Sequence, residues 1–332
     1  MSVVGGNECR HHNKIMNHES KIYIAGHSGM VGSAMLRVLR KEGFTNIVMK
    51  SHVEFDLLDQ RAVIDFFSSE RPEYVFFFAG KVGGLPPIGT YPGAFLYENL
   101  QMQNNVIHSA HLYGVRKLLF VSSSCVYPEH CPQPMKPEYI LTGPLERGSE
   151  PYGIAKLAGI ELCHNYNRQY GTNNIVVIPA TLYGPSPHFE LEYAHVLDAL
   201  LRKFHEAKIT NQSEVTLWGT GTPEREFLYV EDFARACVLL MERYDARPEY
   251  YMTRELCVNV GTGESLTISA LASAVRNVVG FTGDIRWDST RSDGAKKKLL
   301  DSSGIYRLGW RHRTSLEDGI RLTYEWLKKR SV

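Results

Sequence analysis

Tyr152-Gly153-Ile154-Ala155-Lys156 places a phenol four residues ahead of an ammonium. On a helix, positions i and i+4 share one face. A cation held there helps a phenol, whose ordinary pKa is about 10, to exchange a proton near neutral pH. Upstream, Val121-Ser122-Ser123-Ser124-Cys125-Val126-Tyr127-Pro128 runs from an apolar stretch into three hydroxyls that can hydrogen-bond a substrate carbonyl. Near the start, Ile24-Ala25-Gly26-His27-Ser28-Gly29-Met30-Val31-Gly32 is a GxxGxxG. Its glycines permit a tight turn and close approach of backbone to a pyrophosphate, whose charge then rests at the N-terminus of the following helix. Each motif alone is weak, because YxxxK arises by chance and glycine triplets serve ordinary turns. Together, in this order, they point to dinucleotide-dependent chemistry at a carbonyl.

The segment after the second apolar run separates NAD from NADP. Chains that bind NAD usually carry an acid there for the ribose 2′-hydroxyl. This chain has Met49-Lys50-Ser51-His52 and no acid before Glu54. Lys50, aided by His52 when protonated, can neutralise a 2′-phosphate; alternatively, Lys50 only ends a strand at the surface. The reading favours NADP(H) on Gly26, Ser28, Gly29, Met30, Val31 and Gly32, with Asp59 beside the adenine.

These groups need a scaffold, and the hydrophobic pattern supplies one. KIYIAG, TNIVMK, YVFFFAG, KLLFVSSS and NIVVIPA read as strands. MVGSAMLRVLRKEG, AVIDFFSSE, NNVIHSAHLYG and the stretch from Tyr152 to Tyr170 read as helices. Apolar strands alternating with helices make βαβ units and a parallel sheet buried on both faces. The expected fold is α/β, a Rossmann-type doubly wound parallel sheet with a smaller C-terminal α/β substrate lobe. Its ligands belong at the carboxyl ends of the strands, where the three motifs lie. Residues 1–20 are polar and aperiodic and are expected to form a disordered leader. Residues 21–185 should form the cofactor domain, and 186–332 the substrate lobe, with some segments returning to the first domain.

Composition narrows the class. The 332 residues carry 37 Lys+Arg against 36 Asp+Glu, a formal net charge of +1, which lacks the basic surplus of a nucleic-acid binder. With 43% hydrophobic and 22% charged residues the chain is an ordinary globular protein, with no run as long as a membrane span. Cys9, Cys125, Cys131, Cys163, Cys237 and Cys257 are scattered without a CxxC pair, as free thiols in a reducing cytoplasm would be. No metal-ligand spacing occurs, His11 and His12 included.

With the motifs assembled, the chain resembles the extended short-chain dehydrogenase/reductases acting on nucleotide sugars, and among them the GDP-L-fucose synthase family. The segments carrying the resemblance are IAGHSGMVGSA, FFFAGKVGG, KLLFVSSSCVYP, EPYGIAKLAGIELCHNYNRQYG, LYGP, HVLDALLRKFHEA, VTLWGTGTPEREFLYVEDFA, NVGTG and KKLLD, spanning about Lys21 to Trp326. The resemblance implies a Ser123–Tyr152–Lys156 triad that reduces a C4 ketone with NADPH, Tyr152 and Lys156 also meeting the nicotinamide side of the cofactor. It implies that Cys125 and His195 epimerise C3 and C5; read without it, Cys125 is a small buried hydrophobe and His195 a polar spot on a helix. It also implies GDP contacts at Val196, Trp218, Arg225 and Lys298. On residues alone, Trp218 serves equally as core, and Arg225 as an ion pair with Glu224 or Glu226. A homodimer through the helices around Asn104 and Tyr166 is implied as well.

Several positions depart from the family pattern. Ser28 replaces an arginine of the glycine loop, Lys50 and His52 replace arginines, and Thr181 replaces an asparagine that would touch the sugar. The stretch Pro187 to Ala194 is also unlike the family's usual loop. These changes gather where the hexose would sit. They leave a related GDP-4-keto sugar, a 6-deoxyheptose or the colitose precursor, as the alternative substrate. An NAD-dependent nucleotide-sugar epimerase or dehydratase is the remaining rival.

Overall fold

The structure is a computed structural model and describes residues 16–186, 195–247, 257–291 and 293–330. The chain opens with β1 (Ile22–Ala25), α1 (Met30–Lys41), β2 (Ile47–Val48), α2 (Gln60–Glu70) and β3 (Tyr74–Phe77). It continues with the short α3 (Leu85–Thr90), α4 (Pro92–Leu112), β4 (Lys117–Val121), α5 (Glu150–Tyr170) and β5 (Asn174–Pro179). These strands, with β10 (Cys257–Val260), form one six-stranded sheet in the order β10-β5-β4-β3-β1-β2, and every pairing is parallel. β1 and β3 are buried at every position, as an apolar run covered on both faces requires.

Local chemistry sets the helix boundaries. The Asp59 carboxylate accepts the amides of Arg61 and Ala62 at 2.9 and 3.1 Å and starts α2. Gly171, with φ +66°, ends α5 in the left-handed conformation. The strand expected over TNIVMK shortens to Ile47–Val48, an edge strand that among the described residues pairs with β1 alone. The helix expected from Asn104 begins twelve residues earlier, because Pro92 fits a first helical turn and Phe95, Asn99 and Gln103 continue the buried face.

Two hydrophobic clusters result. The first surrounds the sheet and recruits β10, α7 (Val230–Arg243) and Leu300, Ile305 and Trp310 from late in the chain. The second joins α6 (Val196–Ile209), β7 (Glu214–Trp218) and β9 (Phe227–Tyr229) to helices over Ile268–Val279 and Leu316–Lys328. The expected leader needs one correction: Met16 is 4% exposed and packs in the first cluster, and Ser20 is buried with its amide bonded to the Asn17 carbonyl. Residues 1–15 of that expectation lie outside the described residues. None of the described helices is long and apolar enough to cross a membrane.

Candidate active site

α5 presents Tyr152 in its first turn and Lys156 one turn later, both beside the end of β4. Gly153 between them is required by close approach: a Cβ there would stand 2.7 Å from the Cys125 carbonyl oxygen. The helix therefore packs directly on the serine loop. The Lys156 Nζ donates to the Val121 carbonyl at 3.1 Å and lies 4.8 Å from the Phe120 ring centroid and 5.8 Å from that of Tyr152. Burial drives the Tyr152 phenol well above its ordinary range, the Cys125 thiol adds to this, and the Ser123 hydroxyl pulls it back. Burial alone lowers Lys156 to about 8. Among the three serines, Ser123 is the one whose hydroxyl acts on the phenol. The Ser122 hydroxyl is buried with no hydrogen-bond partner among the described residues, whereas Ser123 Oγ also accepts the Cys125 amide at 3.2 Å.

Cys125 lies on the short 3₁₀ turn Ser124–Val126 that Ser123 caps, half-buried, within electrostatic reach of both Tyr152 and Arg225. His195 immediately precedes the first turn of α6 without a side-chain capping bond, directly after residues 187–194, which are outside the described set. Burial lowers its pKa and favours the neutral imidazole. Among the described residues no hydrogen bond joins it to Cys125 or Tyr152. The loop after β3 is anchored by a residue that sequence reasoning missed: buried Asn99 accepts the Lys81 amide at 3.1 Å and donates to the Lys81 carbonyl at 3.0 Å.

The glycine loop has the shape of a phosphate cradle. Gly26 turns at φ +85°, and Gly29 donates its amide to the Gly26 carbonyl at 3.1 Å. α1 starts at Met30 and Val31 without a side-chain cap, which leaves its first amides open to an anion. A Cβ on Gly32 would lie 2.1 Å from the Gly26 oxygen, so the helix can approach the strand only with glycine there. Gly32→Ala is expected to weaken NADPH binding by about 10- to 100-fold, an overpacking cost of roughly 1–3 kcal/mol. Titration of nucleotide fluorescence measures it, and unchanged affinity would show that the cradle is not the binding loop.

Lys50 and Ser28 are exposed beside this cradle. Glu54, the first acid after β2, is committed to its own turn: it accepts the Ser51 amide at 2.9 Å and the Ser51 hydroxyl at 2.6 Å. His52 is exposed and faces Asp56 at 3.7 Å, so it stands at the rim of this loop. Asp59 uses one carboxylate oxygen for both capping bonds, and the other has no hydrogen bond among the described residues.

A separate small sheet supplies cations. β8 (Glu224–Arg225) and β13 (Lys297–Lys298) pair in parallel with Lys298 directly across from Arg225. Arg225 forms no ion pair with Glu224 or Glu226 among the described residues. It donates one nitrogen to the Glu224 and Ala295 carbonyls at 2.8 and 2.6 Å, while Glu224 pairs with Lys297 at 2.7 Å. Glu226 is buried and accepts the amides of Gly263 and Leu300. Trp218 is no core residue: it is 59% exposed, with Lys203 at 5.2 Å and Arg291 at 5.1 Å from its ring. Sequence reasoning also missed Lys203. Its signal was spacing, since Lys203 lies seven residues after Val196 and so shares a face of α6 with it. The described residues contain no His/Cys/Asp/Glu group able to hold a metal ion.

Residues 22–257 match the model of the NAD dependent epimerase/dehydratase family. The chain is 50% identical to GDP-L-fucose synthase 1 of Arabidopsis thaliana over 93% of this chain and 94% of that one. Among solved structures, it is similar to a GDP-6-OMe-4-keto-L-xylo-heptose reductase from C. jejuni, with a TM-score of 0.91 and 39% identity over 95% of this chain and 99% of that one. A GDP-mannoheptose C4 reductase from Campylobacter jejuni with NADP bound has a TM-score of 0.85 and 41% identity over 94% of this chain and 99% of that one.

Proposed function

Because the chain belongs to the NAD dependent epimerase/dehydratase family, and within it to the GDP-L-fucose synthase family, we propose that it epimerises and then reduces a GDP-4-keto-6-deoxy sugar with NADPH. One observation carries this reading: the first turn of α5, with Tyr152 and Gly153, packs directly against the short turn that presents Ser123 and the Cys125 thiol, since a Cβ on Gly153 would meet the Cys125 carbonyl. A reductase needs only Tyr152 and Ser123; a group that moves a proton at carbon needs the thiol as well.

NADP(H) fits the uncapped start of α1 and the Gly26–Gly32 cradle, with Lys50 for the 2′-phosphate and Asp59 near the adenine. The cofactor, when bound, supplies hydride for C4. A C4 ketone acidifies the hydrogens at C3 and C5, since the carbanion left behind is an enolate. Cys125 and His195 serve as base and acid on opposite faces, His195 from the N-terminus of α6. Ser123 and Tyr152 hydrogen-bond the oxygen that gains charge. During reduction Tyr152 gives its proton to that oxygen, and Lys156 supplies the nearby positive charge. Arg225 and Lys298 receive the diphosphate, and Trp218 offers a face to the base, with Val196 beside it.

Residues 21–185 are proposed to hold the cofactor and 186–332 most of the GDP-sugar. The protein is proposed to work as a cytoplasmic homodimer through α4 and α5. The product is GDP-L-fucose in this reading. Thr181 and the likeness to heptose reductases favour one alternative, the same chemistry on a related GDP-4-keto sugar. Incubation with a panel of GDP-4-keto sugars and NADPH, with NMR of the products, tests both. Inversion plus reduction of the 6-deoxyhexose supports the main reading, a heptose or colitose product supports the alternative, and turnover of none overturns both.

A further inference from the structure

Glu146 reaches from the lead-in of the catalytic helix to the cationic pair on β8 and β13. Its carbonyl accepts the amide of Ser149, the residue that caps α5, at 3.0 Å. One carboxylate oxygen accepts Lys298 Nζ at 2.7 Å, and the other accepts the Ala295 amide at 3.1 Å. The Ala295 carbonyl in turn accepts Arg225 at 2.6 Å. Just before Glu146, Leu145 bridges to Pro128 at the far end of the serine loop. A single residue thus touches the approach to Tyr152 through its carbonyl, and the strand segment holding Lys298 across from Arg225 through its carboxylate.

We propose that Glu146 is a positioning residue which, through Lys298 and Ala295, holds the Arg225–Lys298 pair in register with Ser123 and Tyr152, so that a gripped diphosphate places the sugar ketone at the phenol. This rests on the reading that Arg225 and Lys298 receive the diphosphate. The sign of the charge separates it from a simpler role. A carboxylate 2.7 Å from Lys298 weakens the pull of that cation on an anion. Were Glu146 a mere counter-charge, its removal would strengthen binding of GDP. A lysine stem with nothing to hold it spreads over many rotamers, and the grip loosens instead.

A double-mutant cycle decides between them, using the full chain. Glu146→Gln keeps an oxygen for the Ala295 amide and loses the ion pair. With GDP titrated calorimetrically and kcat/KM measured at saturating NADPH, Glu146→Gln is expected to lose about 10-fold in each. In a Lys298→Met background the same change is expected to cost less than about 2-fold. NADPH affinity is expected to stay within about 2-fold throughout, which certifies the fold. Equal losses in both backgrounds would reduce Glu146 to a structural residue, and tighter GDP binding would make it a counter-charge; either overturns the proposal. Glu146→Asp, which retracts the charge by one methylene, carries the same cycle if the amide variant does not fold. A parent enzyme that binds GDP with the expected coupling but turns over no keto sugar removes the functional reading and leaves the role of Glu146 standing.

Discussion

Tyr152→Phe is expected to lower NADPH-dependent ketone reduction by roughly 10³-fold or more, within the range for removing a positioned general acid. The fold is expected to survive, because the ring keeps its packing against Phe95 and loses only its hydroxyl. Burial strongly disfavours a phenolate here, so Tyr152 enters the reaction with its proton on and gives it up only when charge develops on the neighbouring oxygen. Lys156 provides the positive field while it is protonated. Burial has lowered it to about 8, so the rate is expected to fall as pH rises through that value and the ammonium loses its charge. Stopped-flow NADPH oxidation measures the first effect and a pH profile of kcat the second. Near-parental reduction by Tyr152→Phe would remove the triad.

Cys125→Ser is expected to separate the two halves of the chemistry. Ordinary thiols ionise at about 8.5, and serine hydroxyls far higher, so proton abstraction from carbon should drop steeply while the shape is kept. In D₂O without NADPH, the parent should wash deuterium into C3 or C5 of the keto sugar and Cys125→Ser should not. The same variant should still reduce a ketone supplied with its centres already inverted, since Ser123, Tyr152 and Lys156 are intact. His195→Asn should behave differently. The neutral imidazole favoured by burial can accept a proton or, in its N–H form, donate one, whereas the amide does neither well. Inversion should fail in that variant while some exchange by Cys125 persists. NMR of recovered sugar reads all three outcomes. Exchange at the parental rate by Cys125→Ser would leave the thiol as packing and the protein as a plain 4-ketoreductase.

The parts of this protein that depend on near neighbours could be read from the residues alone. The apolar runs of β1, β3, β4 and β5, the glycine spacing of the cradle and the i, i+4 pairing of Tyr152 with Lys156 express local geometry, and each stands in the structure as its pattern implied. The resemblance placed the triad on Ser123 rather than Ser122 or Ser124; how closely α5 lies against that loop is a tertiary matter, permitted by Gly153 beside the Cys125 carbonyl. Trp218 looked as much like core as like a platform until β7 placed it at the surface between Lys203 and Arg291. Arg225 had two acidic neighbours in sequence, yet both carboxylates are engaged elsewhere and its partners are backbone carbonyls. Glu146 and Lys298 are 152 residues apart, and Met16 enters the first core from the segment expected to be disordered. An amino-acid pattern records which groups a segment prefers to bury and how its own backbone turns. Which distant segments then meet is decided by the order of strands in the sheet, which gathers the loops leaving their carboxyl ends on one side of the molecule.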